Sequence, residues 1–265
     1  MLLQVPPLDQ VTAVAAWCAS GTCPFPLVLG LASGRVQCVR AQAVGAGAAL
    51  RVRTRTLHAH AAPVAALCVC ARSRLLASAA RDGTVVLWDL NDLTYIRTLP
   101  NRDMLPVTHV TISETLCDVA TVHELSPRAA RAEPPDRPDA DAHDYENDSC
   151  RHKSLIRVHT CNATFVGSVK VPEQVTCACY SLAAEGVSVN CVAAGLASGG
   201  VRLYSAWDLR PLAYLPPHVR APLLTLSYSS DSMVLFACYG DGTATAWESG
   251  GSRAPVRLVP ALALL

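Results

Sequence analysis

Short runs in which apolar and polar residues alternate recur along this chain, each following a tight turn. The pentapeptide Gly-Leu-Ala-Ser-Gly occurs at 30–34 and again at 195–199, followed by Arg35-Val-Gln-Cys-Val39 and Gly200-Val-Arg-Leu-Tyr204. Asp82-Gly-Thr-Val-Val-Leu-Trp88 and Asp241-Gly-Thr-Ala-Thr-Ala-Trp247 hold the same place in the pattern. In all four a glycine precedes a bulky or β-branched residue by five positions. A Gly at positive φ joins two antiparallel strands, and the alternation after it marks a strand packed on its faces. Upstream of the turns lies a second repeated piece: Val11-Thr-Ala-Val14, Val64-Ala-Ala-Leu67, Val107-Thr-His-Val110, Val175-Thr-Cys-Ala178 and Leu223-Leu-Thr-Leu226. These are read as the innermost strands of five blades.

The anchors Val39, Trp88, Tyr204 and Trp247 are spaced by 49 and 43 residues at the two ends, with a longer step between Trp88 and Tyr204. The long step must hold one more repeat, whose third strand is Ser154-Leu-Ile-Arg-Val-His159, together with an insertion. Four strands per period of forty-odd residues, ending on Trp-Asp, is the WD-repeat signature. The fold class expected is all-β, a WD-repeat β-propeller with five recognisable blades and almost no helix, and a fragment of a larger propeller. The blades fall at about 1–57, 58–99, 100–170, 171–215 and 216–260 of a single domain 1–265. In the fourth blade, counting five from Gly199 selects Tyr204 as the buried strand residue and leaves the nearby Trp207-Asp208 in a turn.

The insertion at 123–152 mixes four prolines with Asp139, Asp141, Asp144, Glu146 and Asp148. It cannot bury enough surface to fold alone, so disorder is expected there. Its acidic residues are a possible docking loop for a basic partner, and the plainer reading is a solvated loop extension. It lacks the Gly and closing Glu of a calcium-binding EF-hand loop. Arg51, Arg53 and Arg55 alternate along an outer strand, where charge protects a sheet edge from aggregation.

Composition narrows the chemistry. The net charge of +1 gives no general attraction to nucleic acid. The N-terminus does not read as a signal peptide, and no uncharged apolar run reaches the length of a membrane span, so a cytosolic chain is expected. The 12 cysteines contain no Cys-x-x-Cys pair. Cys68/Cys70 and Cys177/Cys179 lie one residue apart inside apolar runs, as packed thiols on strands do. Neither a metal site nor a cofactor is expected.

One constellation imitates a catalytic triad. His60, Ser78 and Asp82 fall within one repeat, but Ser78 sits mid-strand and no Gly-x-Ser-x-Gly turn is present. In WD repeats these positions, with Trp88, form a hydrogen-bonded structural tetrad, His60–Ser78–Asp82–Trp88, and no catalytic residue is assigned. The last blade keeps Asp241 and Trp247 but has Ala237 at the serine position, which makes a partial second network.

The stretch Ala80-Arg-Asp-Gly-Thr-Val-Val-Leu-Trp-Asp-Leu-Asn-Asp-Leu-Thr-Tyr-Ile-Arg-Thr-Leu99 resembles the C-terminal propeller of a member of the BEACH-domain family. Further matches follow in order at Pro106-Val-Thr108, Ser113-Glu-Thr115, Asp118-Val-Ala-Thr-Val122, Glu185-Gly-Val-Ser-Val-Asn190 and Val201-Arg-Leu-Tyr-Ser-Ala-Trp-Asp-Leu-Arg-Pro211. The resemblance covers roughly residues 75–248. It implies a non-catalytic scaffold of lysosomal and endosomal vesicle traffic that governs lysosome size, fission and granule traffic. It also implies a cytoplasmic protein, peripheral to endosomal and lysosomal membranes and associated with them indirectly. The partners it implies are other proteins on the propeller rim and the BEACH domain of the full-length chain. This sequence contains no BEACH domain, so a fragment or a truncated gene model is expected. Two other readings stay open: a phosphoinositide-binding propeller, although its Phe-Arg-Arg-Gly signature is absent, and a substrate adaptor of a ubiquitin ligase.

Overall fold

The computed structural model describes residues 9–16, 27–44, 49–125, 153–183, 189–248 and 256–258. Strands β1 (Val11–Ala16), β2 (Leu27–Leu31), β3 (Arg35–Val44) and β4 (Ala49–His58) make the first sheet. The second holds β5 (Val64–Cys70), β6 (Leu75–Ala80), β7 (Val85–Asp89) and β8 (Tyr95–Thr98), and the third β9 (Val107–Ile112), β10 (Asp118–Glu124), β11 (Ser154–Thr160) and β12 (Phe165–Val171). The fourth is β13 (Val175–Tyr180), β14 (Cys191–Leu196), β15 (Val201–Ser205) and β16 (Pro211–Leu215). The fifth is β17 (Leu223–Tyr228), β18 (Val234–Tyr239), β19 (Ala244–Glu248) and β20 (Val256–Leu258). No helix occurs among the described residues. These five four-stranded antiparallel sheets are the blades of a WD-repeat propeller, and each first strand lies on its repeated apolar tetrapeptide.

The chain forms two compact units, Met1–Ile112 and Ser113–Leu265. In the first, Val28, Val36 and Cys38 of the first sheet share a core with Val64, Leu76 and Trp88 of the second. In the second unit, Ala120, Ile156 and Val158 of the third sheet pack with Val192 and Tyr204 of the fourth. There too, Cys177, Ala193 and Val201 of the fourth sheet pack with Leu223, Leu235 and Trp247 of the fifth. Sheets covered on both faces explain second strands buried along nearly their whole length, as in β6 and β14.

The insertion begins later than its composition suggests. His123 and Glu124 are the end of β10, paired with Leu155 and Ser154. His123 is buried with its Nε2 at 2.8 Å from Thr121 Oγ1. A strand that can pair on β11 is held by its ladder whatever the composition beyond it. Residues 126–152, with Asp139, Asp141, Asp144, Glu146 and Asp148, lie outside the described residues.

The glycine of each repeated turn has positive φ: Gly34 at 80°, Gly83 at 85°, Gly199 at 91° and Gly242 at 83°. A Cβ on Gly199 would sit 2.3 Å from the carbonyl oxygen of Val219, whereas one on Gly242 meets nothing within 4 Å. Gly242→Ala is expected to cost about 1–2 kcal/mol, the left-handed backbone alone. Gly199→Ala must also displace the lead-in to β17, and a larger fall in the urea midpoint checks the difference.

Candidate functional site

The four residues that imitate a triad meet at one end of the second sheet. Pairing of Leu76 with Trp88 and of Ser78 with Val86 brings Ser78 and Trp88 to one face. Trp88 Nε1–H donates to Ser78 Oγ at 3.0 Å, and Ser78 Oγ lies 2.8 Å from His60 Nε2. The other imidazole nitrogen, Nδ1, contacts the hydroxyl of Thr84. Thr84 Oγ1–H in turn donates to Asp82 Oδ1 at 2.6 Å. Because the carboxylate only accepts, the protons must run one way, from Trp88 through Ser78, His60 and Thr84 to Asp82. That order fixes the His60 proton on Nδ1.

Asp82 makes no hydrogen bond to His60 directly, and the tetrad read in the sequence lacks the residue that links them. Thr84 stands between them. The Asp-Gly-Thr repeated at 82–84 and 241–243 was the available signal for it. The second oxygen of Asp82 takes the backbone N–H groups of Ala61 at 2.8 Å and Ala62 at 3.2 Å, which ties the turn to the lead-in of β5. Burial would raise the Asp82 pKa, but hydrogen bonds from Thr84 and Ala61 and the nearby His60 outweigh it and hold the carboxyl below its ordinary range. Burial pushes His60 down, opposed by Asp82, so the ring stays neutral. Ser78 is completely buried under Trp88. A serine so enclosed meets no substrate, although its distance to the imidazole is what a nucleophile and base would show.

The remaining blades vary the same arrangement. In the third sheet His159 pairs with Val119 and Thr121 lies two residues on, the register of Trp88 and Ser78. His159 packs edge-on to Phe165 at 5.5 Å, as Trp88 does to Tyr95 at 6.1 Å. His159 was not legible as an anchor because no glycine stands five residues before it and the residue is not a bulky apolar one. In the fourth sheet Tyr204 pairs with Val192 and is 3 % exposed, whereas Trp207 follows in the turn and is 56 % exposed.

In the fifth sheet Asp241 still accepts from the Thr243 N–H at 2.9 Å and its hydroxyl at 2.7 Å. Ala237 has the register of Ser78, however, and Val219 approaches Gly199 as His60 approaches Gly34. Trp247 Nε1 is consequently buried with no hydrogen-bond partner. Among the described residues no group of His, Cys, Asp or Glu is arranged to hold a metal ion, and the cysteines there are free thiols. Burial pushes the Cys177 thiol up to about 12, which opposes thiolate chemistry.

Ser78→Ala should strip Trp88 of its acceptor and cost roughly 1–3 kcal/mol in urea unfolding. Val219→His with Ala237→Ser should complete the fifth network and add about 1 kcal/mol. Ala237→Ser alone should add little, since its own proton would find no acceptor. For pH, a His60 pKa below 6.5 in the folded chain means its contribution is complete above 6.5 and is lost as pH falls through the folded value. Thermal midpoints should therefore be level from pH 7 to 8 and drop below about 6.5. His60→Gln should flatten part of that slope; the remainder belongs to His159, held down by burial and by Arg157.

The family model for the WD domain, G-beta repeat, matches residues 51–89, the span from β4 to the end of β7. The lysosomal-trafficking regulator of Homo sapiens is 36 % identical over 180 residues, 68 % of this chain and 4 % of its own length. That of Drosophila melanogaster is 31 % identical over 203 residues, covering 67 % of this chain and 6 % of its own length. The chain thus spans a small part of the curated relatives it matches. The repeated turns, the five four-stranded sheets and the matched repeat make the chain a WD-repeat propeller segment, similar over about two thirds of its length to the lysosomal-trafficking regulators.

Proposed function

We propose that this chain is a non-catalytic protein-interaction scaffold in lysosomal and endosomal vesicle traffic, acting in the cytoplasm at the surface of those membranes. One observation carries the non-catalytic reading: the triad-like set of side chains among the described residues is consumed by the fold, each side-chain polar atom of Ser78 and His60 being bonded to a neighbour within the blade. What remains available to a ligand is surface. The names of the two relatives supply the process, and the WD repeat supplies the mode, since blades of this kind offer their turns to other proteins.

The turn side of each unit is the supported contact surface. In the first unit the turn at Arg81–Gly83 is tied to the lead-in of β9 by Asn101 Nδ2, which donates to the Gly83 carbonyl at 2.7 Å. Rigid backbone there presents exposed Arg81, Arg102 and Met104 together. A rigid loop of this kind loses little entropy on binding. The BEACH domain of a longer chain and other trafficking proteins are the proposed partners, with membrane association indirect and nucleic acid and cofactors playing no part.

Affinity purification of the chain, with mass spectrometry of what is recovered, tests the reading. Endosomal and lysosomal trafficking proteins should be recovered with the native chain and lost with Arg81→Glu/Met104→Ala, while the thermal midpoint holds. Recovery unaffected by those substitutions, or direct flotation of the chain with phosphoinositide vesicles, would count against it.

A further inference from the structure

The outer strands of the sheets are defended in different ways. Charge on a sheet edge keeps other strands from pairing there. Strand β4 carries Arg51, Arg53 and Arg55, β8 carries Arg97, β12 carries Lys170 and β20 carries Arg257. The outer strand of the fourth sheet, β16, reads Pro-Leu-Ala-Tyr-Leu and carries no charge. Proline closes it instead. Pro211 has no N–H to offer a pairing strand, and Pro216 and Pro217 follow its other end. Addition of a strand is thereby opposed, while the side chains stay outside: Leu212 is 48 % exposed and Tyr214 44 %.

Pairing shows which way these side chains point. Tyr214 is opposite Arg202, and Arg202 is opposite Ala194, whose side of the sheet packs on the third sheet. Leu212 precedes Tyr214 by two, so strand alternation turns it the same way. The other side, with Leu203 and Leu215, packs toward the fifth sheet. On the third sheet, Gly167 and Val169 pair with Val158 and Ile156 and so face the fourth. The sheets close on each other at one end of this junction, where a Cβ on Gly167 would lie 3.7 Å from Leu209 Cδ1.

Arg202 is the cation of this junction. Its Cζ lies 5.3 Å from the centroid of the Tyr214 ring. Burial pushes the Tyr204 hydroxyl up, and the charge of Arg202 and its hydrogen bond oppose that shift. Arg202 Nε is buried with no hydrogen-bond partner, and no carboxylate among the described residues pairs with the guanidinium. Gly200 makes room for the arrangement, since a Cβ there would sit 2.9 Å from the Tyr214 hydroxyl oxygen. A planar cation held by two phenols and short of an acceptor suits a carboxylate, which accepts from the guanidinium in a fork.

We infer that the outer side of the junction between the third and fourth sheets, at Arg202, Leu212 and Tyr214, docks an extended acidic peptide of a partner protein. A carboxylate of the peptide meets Arg202, and its apolar neighbours lie on Leu212 and Tyr214. A second copy is a poorer occupant because the prolines oppose strand pairing. A bilayer is poorer too, because Arg202 is set back beside the Tyr214 ring, within reach of a side chain rather than of a flat surface. This site is separate from the turn at Arg81 and Met104 and does not rest on it.

Selection of a displayed library of random peptides on the whole chain tests the inference. It should return peptides with Asp or Glu among apolar residues. Their affinity, read by fluorescence anisotropy, should fall roughly tenfold or more with Arg202→Gln, with Leu212→Asp, or with an amide in place of the peptide carboxylate. The thermal midpoint of Leu212→Asp, at an exposed position, should hold. Arg81→Glu/Met104→Ala should leave this binding intact, which separates it from the turn surface. Failure to recover any acidic peptide that depends on both Arg202 and Leu212 would overturn the inference. So would flotation with anionic vesicles that is lost in Leu212→Asp, which would assign the site to lipid.

Discussion

A hairpin turn held at positive φ, with its glycine against the carbonyls of the segment leading into the next sheet, is the constraint from which the rest of each unit follows. At Gly34 those carbonyls belong to His60 and Ala62, and at Gly199 to Val219 and Ala221. A side chain at the glycine would drive the two backbones apart. With none, the His60 N–H reaches the Gly34 carbonyl at 3.1 Å and one sheet is registered on the next. The core contacts between sheets, Val28 against Val64 and Cys177 against Leu223, depend on that approach.

Polar satisfaction is distributed unevenly over this frame. The second sheet carries a complete chain of donors from an indole to a carboxylate. The third keeps the hydroxyl as Thr121 and replaces the indole with His159, whose Nδ1 has no partner. The fifth keeps the aspartate turn and loses the buried half. Buried groups left unbonded cost roughly 1–3 kcal/mol each, so the completed network of the second sheet stabilises its blade where the broken network of the fifth leaves Trp247 Nε1 unbonded. It is also the second sheet that the WD-repeat model matches. A pattern built on Trp, Asp and Gly at fixed spacing finds the blade in which all of them serve one network.

The same economy separates fold from function. Side chains that would be reactive in a cleft are spent on holding two strands and a turn together, and the thiols of Cys177, Cys179 and Cys191 are pushed away from their reactive form by burial. The proposed scaffold role draws on what the blades leave outside, above all on turns held by hydrogen bonds such as that from Asn101 to the Gly83 carbonyl.

The amino-acid sequence by itself determined the number of sheets, the place of each first strand, the glycine of each turn and the anchors Trp88, Tyr204 and Trp247. These are legible because a strand buried on both faces must alternate or run apolar, and because a positive-φ turn admits little but glycine. Tertiary structure decided what depends on neighbours distant in the chain. Thr84 enters between His60 and Asp82 because the turn folds its hydroxyl over the carboxylate. His159 becomes an anchor because pairing with Val119 places it there. His123 and Glu124 remain strand because β11 is present to pair with them. Which face of β18 is core is likewise set by packing: Leu235, Ala237 and Tyr239 share a core with Leu223 and Trp247 while Phe236 is exposed, since alternation gives a strand its two faces and only packing assigns each face a partner.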